Sequence, residues 1–274
     1  MSSSAAANRA ASAADETSKP DSTTGSSVSA LYDWGSHARL WSVAILGLVL
    51  DLWSKEWAFA ELRQGGQRSL IPHVLEFQTM LNPGALFGIG QGQTLFFIVA
   101  SLLALALVLW MFAQNPPQRR FLQIALGGIL AGALGNMYDR VNVRLILQSV
   151  RTAGGGSTAI YFQQIDDDGT TMTIQEFPPS PHSRRMQLTG TAREKAAQPY
   201  GYVRDFIKIN TTVPVWNWIP QKWRGKELWP WVFNVADTLL VVGVSILAIH
   251  LWTERKHPPH AQSGSADDST APAA

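Results

Sequence analysis

The sequence predicts an all-α integral membrane protein: four transmembrane helices carrying a small β-rich element on the outer face. Three observations predict it. Apolar residues make up 46% of the 274, but they are concentrated in four stretches of roughly 20 residues, the length a helix needs to cross the hydrocarbon layer. Both ends of the chain, residues 1–30 and 258–274, are Ser, Ala, Thr and Gly with scattered charge, a composition that cannot bury enough apolar surface to order itself. Arginine and lysine gather at alternate ends of the stretches, as they do when one side of a membrane faces the cytoplasm.

The first span, Leu40 to Phe59, follows a tail (1–39) expected to be disordered and cytoplasmic. That tail offers only Ala and Ser broken by charges, whereas a cleavable secretory signal needs a basic start and a nearby apolar run, so the first span itself directs insertion. The second span is Thr94–Phe112, the third Phe121–Tyr138 and the fourth Trp231–Trp252. An even number of spans puts both termini on one side. Arg39 precedes the first, Arg119 and Arg120 lie in the short link between the second and third, and Arg255 and Lys256 follow the fourth, so these ends are read as cytoplasmic. The chain therefore divides into helices one to three (40–140) with an outer loop at 60–93, an inserted outer-face element (141–201), a segment leading into the fourth helix (202–252), and a second disordered cytoplasmic tail (253–274).

The long outer segment has two parts. Residues 151–200 are polar and rich in Gly, Pro, Ser and Thr; within them Ala159–Gln164 and Thr170–Gln175 read as strands of a hairpin turning at Asp168-Gly169. Residues 202–231 alternate apolar and polar side chains, with Trp216, Trp218, Trp223, Trp229 and Trp231. An indole at the headgroup level buries its ring and keeps its N–H wet; packing within a small domain accounts for the same residues.

Several chemistries are excluded or disfavoured. A net charge of +2, with no basic cluster interleaved with aromatics, gives no nucleic-acid partner. The absence of cysteine removes disulfides, thiolate metal sites and a cysteine nucleophile together. Neither a Gly-x-Ser-x-Gly elbow nor a His pair at metal-ligand spacing occurs among His37, His73, His182, His250, His257 and His260, so no metal is expected. Ser54 and Lys55 are adjacent, and adjacent helical residues point in different directions.

Ionisable groups inside or at the rim of a span cost on the order of 3 kcal/mol each, so they are functional candidates by default. Asp51 and Lys55 are four apart with the acid first, the better orientation for an ion pair on one helical face; a purely structural pair is the other reading. In the third span the three-residue step puts Asn136 and Asp139 on one face, and Gly128 and Gly132 form a small-xxx-small pattern that admits a neighbouring helix. Asn234 and Asp237 share a face at the outer end of the fourth span. Asp205 lies in an apolar, strand-like stretch on the same side. Two carboxylates from different segments meeting at the outer surface would suit an aspartic peptidase, in which an ionised member activates water and a protonated member polarises the scissile carbonyl.

Five blocks in order then resemble the motifs of signal peptidase II, the bacterial lipoprotein signal peptidase: Asp51-Leu-Trp-Ser-Lys55, Asn82-Pro-Gly84-Ala85-Leu-Phe87-Gly, Gly132-Ala-Leu-Gly135-Asn136-Met-Tyr-Asp139-Arg140, Val203-Arg-Asp205-Phe206-Ile207 and Phe233-Asn234-Val-Ala236-Asp237-Thr. They lie within 40–140 and 202–252, somewhat over half of the chain. The resemblance implies a cofactor-free enzyme of the bacterial inner membrane, its active site at the outer face. It implies cleavage of lipid-modified prolipoproteins before the diacylglyceryl-cysteine, contact with membrane lipid, and sensitivity to a globomycin-type inhibitor. The family's catalytic aspartates correspond to Asp205 and Asp237. Its substrate-binding or supporting residues correspond to Asp51, Lys55, Asn82, Gly84, Asn136, Asp139, Arg140, Asn234 and Ala236.

Three departures stand out. Pro83 follows the asparagine where the family has no proline, and Leu86 stands where it has a small residue. The segment from Val141 to Arg204 is long where the family's is short, and the N-terminal tail is extra. None of these removes a catalytic residue. The competing class is a small transporter or channel component using intramembrane carboxylates, which would need polar residues through the depth of the bilayer; the second span has only Ser101 internally.

Overall fold

The computed structural model describes residues 29–84, 94–151, 157–196, 199–212, 218, 220–223 and 225–256, with backbone alone for 254–256. Ala85 to Gly88 of the second block, Trp216, and most of both expected tails lie outside these residues. Helix α1 (Trp34–Leu62) starts ahead of the expected Leu40, because Asp33 caps it: its Oδ2 accepts from the Ser36 N–H at 2.7 Å. The helix stops at Arg63, whose φ of 61° and ψ of −172° take the backbone out of the helical region. Helices α2 (Thr94–Ala113), α3 (Arg120–Asn142) and α5 (Val235–Lys256) follow the expected spans, and a short α4 (Gly190–Ala196) lies between the last two.

α3 is the hub, packing against α1, α2 and α5. Its glycines permit this. A Cβ on Gly127 would lie 2.6 Å from the Leu40 carbonyl of α1, and one on Gly132 2.4 Å from the Ala236 carbonyl of α5; such close backbone approach is what small residues provide between membrane helices. Leu40, Ala44, Leu126, Ile129 and Leu130 fill the seam, with Val108 and Phe112 of α2.

The remainder corrects the expected fold class. The protein is not all-α: two antiparallel sheets stand beside the helices. One has four strands in the order β1 (Gln67–Ile71), β2 (Leu75–Asn82), β8 (Val203–Ile209), β9 (Val232–Phe233). The other has five, in the order β6 (Arg185–Thr189), β5 (Thr171–Glu176), β4 (Ser157–Asp167), β3 (Arg144–Arg151), β7 (Tyr200–Gly201). The expected hairpin at Asp168-Gly169 is the β4–β5 turn, but its pairing runs from Phe162↔Glu176 to Asp167↔Met172, and the Ala159 end of β4 pairs with β3 instead. Sheet residues from β3 to β6 enclose their own core of Ile146, Phe162, Met172, Ile174 and Leu188, so the β structure is far more than a small element.

The four expected spans differ in how apolar they are. Among the described residues, three helices are long and apolar enough to cross a membrane: Thr94–Ala113, Arg120–Asn142 and Val235–Thr253. α1 falls outside that measure because Asp51, Lys55 and Glu56 interrupt its apolar run.

Candidate active site

The residues of interest converge where α1, the end of α3, strand β8 and the start of α5 meet. β8 reaches this point because it pairs with β2, Met80 opposite Asp205 and Asn82 opposite Val203, across an irregularity between Phe77 and Met80. The pairing delivers Asp205, only 1% exposed, and brings Asn82 beside it. Asn82 Nδ2 donates to Asp205 Oδ2 at 3.1 Å, and Asn234 Nδ2 donates to Asp205 Oδ1 at 2.6 Å.

Asn234 is the cap of α5. Its Oδ1 accepts from the Asp237 N–H at 2.9 Å, while Asp237 Oδ2 accepts from the Asn234 N–H at 3.3 Å, the reciprocal pattern of a capping box. A third free N–H of the first turn, that of Ala236, donates to Asp51 Oδ1 at 2.8 Å. Asp237 is half-buried, and its Oδ1 accepts from Asn136 Nδ2 at 2.7 Å. Asn234 thus bonds the Asp205 carboxylate with its amide nitrogen and the Asp237 backbone N–H with its amide oxygen, so one side chain links the two aspartates.

Behind them lies a charged layer with no solvent exposure. Lys55 Nζ donates to Asp51 Oδ2 at 2.7 Å and to Asn136 Oδ1 at 3.1 Å, and stands 3.4 Å from Asp139 Oδ2. Both amide donors of Asn136 and Asn234 are therefore oriented by a cation or a carboxylate. Arg140 donates to the backbone carbonyls of Asn136 and Gly84, each at 3.2 Å, and lies over the Phe97 ring. Gly84 N–H in turn donates to Asn82 Oδ1 at 3.0 Å. Each of the predicted site residues is joined to the others in this network: Asp205, Asp237, Asp51, Lys55, Asn82, Gly84, Asn136, Asp139, Arg140, Asn234 and Ala236.

The two aspartates differ in setting. Burial, and after it the negative charge of Asp237, pushes the Asp205 carboxyl well above the usual carboxylate range; the donors from Asn82 and Asn234 and the Lys55 charge pull the other way and are outweighed. Among the described residues no group of three or more His, Cys, Asp or Glu is placed to hold a metal.

The chain matches the signal peptidase (SPase) II family over residues 43–253. It belongs to that family. The lipoprotein signal peptidase of Clostridium novyi (strain NT) is 35% identical over 108 residues, which are 39% of this chain and 73% of that protein. That of Rhodopirellula baltica is 38% identical over 109 residues, 38% of this chain and 49% of that protein. A solved bacterial membrane enzyme superposes with a TM-score of 0.50 at 21% identity, covering 81% of this chain and 92% of the other; at that identity it speaks for the fold, helices and sheets together. Sequence reasoning carried the signal peptidase II blocks but missed a contributor to the charged layer, Arg204, whose outer arm reaches the exposed Glu56. Arg204 Nη1 donates to Glu56 Oε2 at 2.7 Å, and Nη2 to Asp139 Oδ1 at 2.9 Å. The one signal was the place of Arg204 immediately before Asp205 in an otherwise apolar stretch.

Proposed function

We propose that this signal peptidase II-type aspartic endopeptidase removes signal peptides from lipid-modified prolipoproteins with Asp205 and Asp237 as its catalytic pair. The observation that carries the assignment is the Asn234 bridge, which bonds Asp205 at 2.6 Å and the Asp237 backbone at 2.9 Å and so links two aspartates from different segments around one point. Asp205, buried and raised, holds the shared proton; Asp237, the more open member, acts as the base toward water. Asp237 takes a proton from water as its oxygen bonds to the scissile carbonyl carbon, while Asp205 gives its proton to the carbonyl oxygen. The tetrahedral species then collapses: the C–N bond breaks, and the cysteine nitrogen leaves with the proton held by Asp237. The hydroxyl proton returns to Asp205.

Asp51 and Lys55 brace the start of α5 in this reading, and Asn82, Gly84 and Arg140 brace the loop that borders the site. The enzyme sits in the bacterial inner membrane, α1 crossing alongside the three apolar helices, with both termini cytoplasmic and the dyad at the outer face. Exposed Leu95, Phe96, Leu103, Val241 and Ile249 are then lipid contacts, and a globomycin-type inhibitor competes with substrate at the dyad.

The test is cleavage of a lipid-modified prolipoprotein, followed by gel shift, with purified Asp205→Asn and Asp237→Asn. Each single change is expected to lower turnover by more than about 10³-fold, and the double change hardly further, because residues acting as a unit are not additive. Substantial turnover by either single variant refutes the pair.

A further inference from the structure

Strand β8 does more than present Asp205. Successive side chains of a strand point to opposite faces, so Arg204 faces away from the Asn234 bridge, toward α1 and the end of α3. It is only 6% exposed, and nearly all of its donors are used. The guanidinium meets Asp139 Oδ1 through Nε at 3.2 Å and Nη2 at 2.9 Å, and the Arg204 backbone N–H donates to Asp139 Oδ2 at 2.9 Å. The remaining arm, Nη1, reaches Glu56 Oε2 at 2.7 Å, whose side chain is 77% exposed.

We infer that Arg204 is a positioning residue of the catalytic pair, acting through Asp139; the inference rests on the assignment of Asp205 and Asp237 above. Asp139 is a hinge between two lines of contact. On one side it holds β8, by side chain and backbone, at the residue directly before Asp205. On the other it stands 3.4 Å from Lys55 Nζ, which bonds Asn136 Oδ1 at 3.1 Å, and Asn136 donates to Asp237 at 2.7 Å. Both aspartates are therefore referenced to the same buried carboxylate.

Charge balance requires the arginine. The interior layer holds Asp51 and Asp139 against Lys55 and Arg204, all with side chains at most 7% exposed. Lys55 alone cannot neutralise both acids. Removing Arg204 leaves a buried carboxylate without its fork, a situation far more damaging than removing both members of a pair. The unbalanced Asp139 then draws Lys55 away from Asn136, and the Asn136 donor that fixes Asp237 loses its reference. Lysine is a poor replacement, since it supplies a charge without the planar pair of donors.

The experiment measures kcat and KM for prolipoprotein cleavage, together with thermal melting, for Arg204→Met, Asp139→Asn, the double variant, Arg204→Lys and Glu56→Gln. Below the melting point Arg204→Met is expected to lose kcat by at least about 30-fold with KM changed less than about three-fold, the split expected when positioning of the reacting groups is lost. The double variant restores neutrality and is expected to recover about ten-fold of the kcat lost by Arg204→Met, a sign of coupling that independent effects cannot give. Arg204→Lys is expected between wild type and Arg204→Met, and serves as the test if the methionine variant does not accumulate. Glu56→Gln, an exposed partner, is expected within about two-fold of wild type. Wild-type kcat in Arg204→Met or Arg204→Lys, additive loss in the double variant, or a Glu56→Gln loss equal to that of Arg204→Met overturns the inference. Asp205→Asn and Asp237→Asn run in the same series keep the two claims apart. Their retained turnover sinks the catalytic pair, whereas the pattern among the Arg204 and Asp139 variants decides the role of Arg204.

Discussion

One close contact near the proposed site is between two backbones, and a single methyl group probes it. In Gly132→Ala the new Cβ would stand 2.4 Å from the Ala236 carbonyl oxygen and 2.6 Å from Leu240 Cγ. Relief to ordinary contact requires the start of α5 to move back by about 1 Å, since the carbonyl belongs to a helix and cannot rotate away. That first turn carries Asn234, Ala236 and Asp237. A displacement of that size between reacting groups is worth about 100-fold in rate, while the overpacking costs about 1–3 kcal/mol of stability, offset by up to about 1 kcal/mol for replacing a helical glycine. Gly128, one turn earlier on the same face, is the control: a Cβ there meets only the Leu239 carbonyl, at 3.6 Å. Gly128→Ala is expected to keep wild-type turnover and to gain up to about 1 kcal/mol. Both variants are assayed by prolipoprotein gel shift and by melting of the purified protein. Gly132→Ala within about three-fold of wild type, or equal damage from Gly128→Ala, would show that the helix contact does not set the dyad geometry.

Two further outcomes are expected. The raised Asp205 makes the native protein hold a proton that the unfolded chain releases near about pH 4, so this group's contribution to stability falls as pH rises from there to its native value. The melting temperature of wild type relative to Asp205→Asn should therefore decline with pH across that window, and a relative rise would refute the assignment. Reporter fusions at Gly154 and at the C-terminus should report opposite compartments, outer and cytoplasmic; a shared compartment would refute the proposed topology.

What could be read from the sequence followed from whether a residue's neighbours along the chain were also its neighbours in space. Asp51–Lys55, Asn136–Asp139 and Asn234–Asp237 each lie on one helical face, and the network joins each pair, the first and last directly and Asn136 with Asp139 through Lys55. The sheets were less visible. Every residue of β1 is exposed, so it shows no half-buried alternation, and β2 buries only Thr79 and Leu81, on either side of exposed Met80; segments with so little burial read as loop. β9 is two apolar residues beside the fourth helix and merged with it. The role of Arg204 is hidden in the sequence because an arginine in a strand ordinarily marks the solvent face, and only tertiary contact with Asp139 across 65 positions of sequence shows otherwise.

The helix that fails the test of apolarity is the one that shows why the failure occurs. On α1, Ile45, Leu46, Val49, Leu50 and Trp53 are each more than half exposed, whereas Asp51 and Lys55 are wholly buried. The spacing of the first set puts it on one side of the helix and the acid–base pair on the other. An average over the helix mixes a side fit for lipid with a side turned to α3, and the mixture reads as neither. The three helices that pass follow the same logic: mean hydropathy is 2.8 for α2, 2.0 for α5 and 1.4 for α3. α2 supplies none of the proposed site residues, α5 supplies them only at its first turn, and α3 is the glycine-lined hub bearing Asn136, Asp139 and Arg140. The apolar stretch of α3 is 72% buried, against 11% in α2, so little of the polarity it carries is exposed. Polar load is tolerated where a neighbouring helix covers it, and in α1 the cover is a partner of opposite charge: Asp51 at 2.7 Å from Lys55, and Asp139 of α3 beyond. The same ion pairs that neutralise the buried charge of α1 also reach the start of α5 through Asp51 and Ala236 at 2.8 Å, so the contacts that stabilise the helix packing are those that hold the turn bearing Asp237.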